Sequence, residues 1–298
     1  GQFPGAPSGW WVSRVTLSSH NRKTAYVSFT GYREDDFRPL VFRTTNLGSG
    51  EGWKRITTGL PGDEPVNDIV EDPTNAQLLY LGTEFGVYVS CNQGASWSPM
   101  NSDLPRVPVH DLAVHERDGV LVAATHGRGF WATEVDAVRG MTEEALAEPA
   151  HLFPIGDKTR WARRSAVGGY GGGDQVWRGE NEGRNATIVV SVQDVEAEWS
   201  LTLEDASGET LATLEVPKEA GVHSLSWDFR EDPKSDEAKE SGRRGGRVSE
   251  GVYVAVLRKG EAKKAQRQSF EVRLDPLLSG ATAAEMATER EAEADGDR

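Results

Sequence analysis

The 298-residue chain contains a single cysteine, Cys91, which excludes an intrachain disulfide. It has no run of about 18 apolar residues, so no segment reads as a membrane-spanning helix. Basic residues are in deficit: 33 Lys and Arg stand against 47 Asp and Glu, a formal net charge of −14. Phosphate binding needs a basic surface, so a general nucleic-acid binder is excluded as a class. The acidic surplus serves solubility instead. Canonical nucleophile and metal signatures are missing too. There is no Gly-x-Ser-x-Gly elbow, no Walker spacing and no cluster with zinc-ligand spacing. The sequence therefore calls for no metal and no cofactor. The chain starts at Gly1 without Met, which reads as a processing site or a cut.

What the chain does have is 33 Gly, 14 Pro and 9 Trp, together with a repeat. Val66–Asp72, Leu79–Thr83 and Gly86–Ser90 overlay Val109–His115, Leu121–Thr125 and Gly129–Thr133. Asp68 then maps to Asp111, Gly86 to Gly129 and Tyr88 to Trp131, each 43 residues apart. Short alternating strands at a period near 43 are the signature of β-propeller blades. The preceding segment parses the same way, with strands at 12–18, 25–29, 40–44 and 53–56. The pattern predicts two complete four-stranded blades and a third with three strands, about two and three-quarter blades in residues 1–135. So few blades cannot close a ring. Either earlier blades of a parent protein are missing from this chain or blades assemble in trans, and the first reading is preferred.

Residues 136–184 read as a linker, helical near 135–150 and then a Gly/Arg-rich loop around Gly168–Gly173. Residues 185–276 alternate again over six or seven strands, which predicts a small antiparallel sandwich. The tail, 277–298, is Ala/Glu-rich and reads as helix or disorder. The fold class is all-β: a partial propeller followed by a sandwich.

Two turns carry a resemblance. Ser90, Asn92, Gly94 and Trp97 resemble the Asp-box, Ser/Thr-x-Asp-x-Gly-x-Thr-Trp, with Asn at the Asp position. Thr44, Asn46, Gly48 and Trp53 form a second copy with two extra residues. In such a turn the Asx side chain caps backbone N–H groups, Gly takes positive φ and Trp packs between blades. With these motifs, residues 12–134 resemble the closing blades of a sortilin-type or Asp-box propeller, of the bacterial "glycosyl hydrolase, BNR repeat" kind. Gly221–Arg230, Gly251–Val254 and Leu274–Pro276 resemble the Ig-like domain that follows such propellers. The resemblance implies a secreted or periplasmic protein. Fold likeness of this kind does not fix function.

A glycosidase needs two carboxylates facing each other across a sugar bond. Asp68 and Asp111, equivalent in adjacent blades, are the paired candidates; the alternative is a repeated hydrogen bond at the start of each inner strand. In xyloglucanase-like propellers, the resemblance implies, the essential acids lie in blades mostly outside this chain. His126 and Arg128 sit in a glycine turn and are candidates for ligand binding on the central face, Arg128 toward an anion. Trp10, Trp11, Tyr32 and Phe37 are candidates for stacking on sugar rings; of these Trp11 and Tyr32 are carried forward. His110 and His115 alternate in facing, so they cannot share one ion. Two functions follow: a non-catalytic binding or scaffolding part of a larger propeller, engaging a protein, peptide or glycan, or a fragment of a propeller glycoside hydrolase.

Overall fold

The structure is a computed structural model, and it describes residues 3–47, 52–101, 103–161, 185–235, 245–260, 262 and 264–275. The chain divides into two compact units, Gly1–Thr142 and Glu143–Arg298.

The first unit is a series of three antiparallel meanders. Blade one contains β1 (Trp11–Leu17), β2 (Ala25–Gly31), β3 (Asp36–Thr44) and β4 (Trp53–Arg55). Blade two contains β5 (Val66–Glu71), β6 (Leu79–Thr83), β7 (Gly86–Ser90) and β8 (Ser98–Pro99). Blade three has β9 (Val109–His115), β10 (Val120–Thr125) and β11 (Phe130–Glu134), and among the described residues no fourth strand is paired to it. This is the partial propeller that the 43-residue period predicts. Residues alternate in facing along each strand, so both faces of the middle blade can be buried. Tyr26, Val41 and Ile56 of blade one pack against Ile69, Leu81, Tyr88 and Trp97 of blade two. Leu78, Tyr80 and Val87 of blade two pack against Val109, Leu112, Leu121 and Ala123 of blade three. The upstream face of blade one is partly covered by the chain's own start: Phe3 lies 4.9 Å from Phe29 and 4.8 Å from Trp53, ring centre to ring centre.

The turn from Ser90 to Trp97 is held as its residue types require. Gly94 N–H donates to Ser90 Oγ at 2.8 Å, and Ser96 N–H donates to Asn92 Oδ1 at 2.9 Å. Gly94 has φ +84°, and a Cβ there would stand 2.6 Å from Ile56 Cδ1, so both conformation and space demand glycine. Trp97 is buried between blades one and two and its Nε1 donates to the Ile56 carbonyl at 2.8 Å. In the earlier turn Asn46 N–H donates to Thr44 Oγ1 at 3.2 Å and Trp53 joins the Phe3 cluster, while Gly48 lies outside the described residues. Cys91 is exposed as a residue, while desolvation around its sulfur raises its pKa.

Beyond blade three the chain turns into α1 (Asp136–Arg139). Arg139 reaches back to the fully buried Asp72 of blade two, Nε to Oδ2 at 2.9 Å. This ion pair fastens the exit of the first unit to its middle blade.

The second unit begins with α2 (Glu143–Ala147) and is a two-sheet sandwich. One sheet orders β12 (Ala150–Leu152), β14 (Ala186–Val192) and β17 (Gly221–Trp227). The other orders β13 (Lys158–Arg160), β19 (Ala265–Leu274), β18 (Gly251–Lys259), β15 (Trp199–Glu204) and β16 (Thr210–Glu215). Strands β12 and β13 fall where the sequence reads as linker. Each is three residues long, too short to show a period, and β13 pairs in parallel with the distant β19. The Gly/Arg-rich run and the tail 277–298 lie outside the described residues. Trp227 anchors the core, with Phe229, Tyr253 and Phe270 around it at 5.3, 5.7 and 6.2 Å. On the outer side of the larger sheet Glu204 pairs with Arg258 and Arg267 at 3.1 and 2.5 Å.

Two outcomes follow. Trp97→Ala removes a blade-packing ring and its hydrogen bond, and should cost about 3–5 kcal/mol in chemical unfolding of the first unit. For Glu204, burial pushes the carboxyl up, but the hydrogen bonds and charge of Arg267 and Arg258 bring it below its ordinary value on balance. Its contribution is thus present above the ordinary carboxylate pKa and lost as pH falls through the lowered folded value. Glu204→Gln should lower stability at neutral pH, and its difference from the parent chain should vanish in acid titration of the unfolding midpoint.

Candidate functional site

The inner strands β1, β5 and β9 each begin with the same irregularity. Register shifts occur between Val12 and Arg14, between Val66 and Asp68, and opposite the step from Asp111 to Val109. The extra residues are Ser13, Asn67 and His110, a bulge at one repeat position, which re-aims the side chains beside it. Two of them stitch to the next blade. Ser13 Oγ donates to the Val66 carbonyl at 2.8 Å, and Asn67 Nδ2 donates to the Val109 carbonyl at 3.3 Å.

Directly after each bulge stand Arg14, Asp68 and Asp111. Arg14 Nε donates to Asp68 Oδ1 at 2.5 Å, and its Nη2 donates to Asp111 Oδ1. Asp68 also accepts from the backbone N–H of Ile69 and, across the blade boundary, of Leu112, both at 2.7 Å. Its side chain is 1% exposed, against 61% for Asp111. So the two carboxylates named from sequence are joined through one guanidinium. Asp68 serves as a three-donor staple, and Asp111 faces outward.

The same end of the blades carries aromatic and cationic groups. The Arg33 guanidinium lies 4.8 Å over Trp11 and 5.7 Å over Tyr32, and its Nε donates to the Tyr32 hydroxyl at 3.1 Å. Trp11 and Tyr32 are both exposed. Trp10 instead lies against Gly31, where a Cβ would meet its ring at 2.6 Å. Phe37 is exposed. In blade two's turn, Phe85 is covered by Arg106 at 4.2 Å. Nearby Glu64 is buried; desolvation raises its pKa although Thr83 donates to it at 2.5 Å. In blade three the rings of His110 and His126 lie 5.3 Å apart. Gly127 and Gly129 have φ +87° and +72°, which presents Arg128 on an exposed turn. His115 sits at the other end of β9, beside Asp118 at 3.1 Å. Among the described residues no group of three His, Cys, Asp or Glu converges on a metal position.

The structure thus joins Trp11 with Tyr32, Asp68 with Asp111, and His126 with His110. Sequence reasoning missed both arginines that do the joining. Arg14 was findable, because it holds the repeat position of Asp68 and Asp111 once blade one is aligned on its bulge. Arg33 carries no such signal, since a short 3-10 turn, Tyr32–Glu34, sets its position.

No protein-family model matches the chain, and no curated protein does. Among solved structures it is similar to PorZ, described as an essential bacterial surface component of the type-IX secretion system of Porphyromonas gingivalis, at 16% identity and a TM-score of 0.36. The alignment covers 90% of this chain and 31% of PorZ. It is also similar to the GH74 xyloglucanase of Xanthomonas campestris, at 15% identity and TM-score 0.36, over 89% of this chain and 43% of that one. A third likeness, at 12% identity and TM-score 0.32, is to the extracellular domain of a putative hybrid two-component system of B. thetaiotaomicron, over 90% and 31%. The chain therefore spans less than half the length of each. Likeness at this level assigns no activity. No helix among the described residues is long and apolar enough to cross a membrane.

Arg14→Gln should leave Asp68 short of one charged donor. Since Arg14 is about a third exposed, the cost should be about 1–2 kcal/mol, read as a shift in the denaturant midpoint with unchanged slope.

Proposed function

We propose that this chain is a non-catalytic binding and scaffolding portion of a larger propeller protein, and that it engages a protein, peptide or glycan through the end of the blades bearing Trp11, Tyr32, His126 and Arg128. One observation carries the reading. At this end the buried acid is locked by three donors, while Trp11 and Tyr32 stand exposed around Arg33. Exposed rings with a cation between them suit sugar faces or peptide aromatics, which need stacking area and a few fixed donors.

Further blades beyond this chain are the partners we infer for it. Val15 is 60% exposed, whereas its counterparts Ile69 and Leu112 are buried between blades. Phe130 is 81% exposed, whereas Val41 and Val87 at the same repeat position are buried. The bonds of Asn92 and the packing of Trp97 support an Asp-box turn, and the two-sheet second unit suits an Ig-like domain. A propeller of this type is expected outside the cytoplasm, secreted or periplasmic.

The hydrolase reading, with Asp68 and Asp111 as the acid pair, is the alternative. It is less favoured because one acid is buried and both are bridged by Arg14. The test is a glycan and peptide binding panel with the full chain. Trp11→Ala with Tyr32→Ala should weaken the strongest binder at least tenfold without altering the melting curve. Turnover of a β-glucan or xyloglucan that is lost in Asp111→Asn would establish the alternative instead.

A further inference from the structure

Glu64 is a buried acid whose hydrogen bonds balance only when it carries a proton. Its Oε1 lies 2.5 Å from Thr83 Oγ1, at the end of β6, and both residues are buried. The same hydroxyl lies 2.9 Å from the Gly86 carbonyl and accepts from the Phe85 N–H at 3.3 Å. A hydroxyl has one hydrogen and two acceptor sites. If Glu64 is ionised, that hydrogen goes to the carboxylate or to the carbonyl, and the other is left without it. Blade three shows where the hydrogen goes when no acid competes: Thr125 Oγ1, at the equivalent turn, donates to the Gly129 carbonyl at 2.7 Å. A protonated Glu64 settles the count, because it donates to Thr83 while Thr83 donates to Gly86. The surroundings favour that proton. Burial disfavours the charged form, and Asp63 adds like charge beside it; together they prevail over Thr83, Arg106 and the Phe85 N–H, which favour the carboxylate. The Tyr88 hydroxyl faces the same carboxyl. Arg106 is the cation of the group, and its guanidinium lies 4.2 Å over the Phe85 ring. Glu84 is taken up by Asn67 Nδ2 at 3.0 Å, and its N–H ties the turn to the acid's own segment through the Pro65 carbonyl at 3.0 Å.

We propose that Glu64 is a proton-operated latch on the turn from Thr83 to Gly86. Protonated, it donates to Thr83, and Arg106 lies on Phe85. Ionised, it takes the Thr83 hydrogen away from Gly86 and draws Arg106 off the ring, because a buried carboxylate attracts a guanidinium more strongly than an aromatic face does. Loss of the proton therefore uncovers Phe85 at the end of the blades that bears Trp11 and Tyr32. Acid closes the latch and rising pH opens it. The sign in stability follows from the raised folded value of this carboxyl. Its contribution is fully present below the ordinary glutamate value and is lost as pH rises through the folded one. The latch is read in the ligand-free chain, so it stands or falls apart from the ligand proposed for Trp11 and Tyr32.

The test follows the Glu64 carboxyl carbon by NMR in the full 298-residue chain, from acid to neutral pH, assigned through its backbone connectivities. The carboxyl should titrate above the ordinary glutamate range, and higher still in Arg106→Gln, which removes the facing cation. The Phe85 ring signals should move with the same midpoint in the parent chain and stay fixed in Glu64→Gln. In chemical unfolding, Glu64→Gln should raise the midpoint at neutral pH, and the gain should vanish in acid. The opposite sign, a loss at neutral pH that fades in acid, would mean a carboxylate that folding holds charged, and would overturn the proposal. So would titration at or below the ordinary range, or Phe85 signals that do not follow it. Should Glu64→Gln not fold, the carboxyl titration, its shift in Arg106→Gln and the parent's Phe85 signals decide.

Discussion

The stitch between neighbouring inner strands is the constraint on which the first unit depends. A flat meander of four short strands has two apolar faces and cannot bury both alone. The blades meet because the first two inner strands begin with bulges whose extra residues reach the next inner strand's carbonyl. Ser13 does this to Val66 and Asn67 to Val109. Asp68 adds a bond to the Leu112 N–H across the same boundary. With strand starts pinned, Ile69 and Leu112 fall against the preceding blade and Trp97 closes the outer side. Hydrogen bonds fix the spacing and apolar burial supplies most of the stabilisation.

The same pinning gives the candidate site its form. Bulges re-aim the residues that follow them, so Arg14, Asp68 and Asp111 converge from three strands. Between-strand turns on that end then add Tyr32, Arg33, Phe85, His126 and Arg128. The three turns lie far apart in sequence, and what gathers them is the common end of parallel-running repeats.

Much of the fold was legible beforehand, because a period of 43 residues with alternating strands has a single physical reading. The strands from 12 to 134 were found by that alternation, and the Gly94 turn by its Asx and glycine. β12 and β13 escaped because a three-residue strand has no measurable alternation and each pairs with residues far along the chain. At the site, the residue types Asp68, Asp111, Trp11 and Tyr32 stood out, but their relations did not. A bulge shifts side-chain facing by one residue, which a period of two cannot foresee, and the arginines that bridge them are common surface residues with no motif of their own.

The charge reversal at one repeat position has a consequence for assembly. Repeats of one architecture risk docking in the wrong order while the chain is still forming. Blade one presents a cation where its two successors present carboxylates. If blade three displaced blade one beside blade two, Asp111 would oppose Asp68 with nothing between them, and like charges would push the mispaired sheets apart. A single arginine thereby distinguishes its blade from the two that follow it.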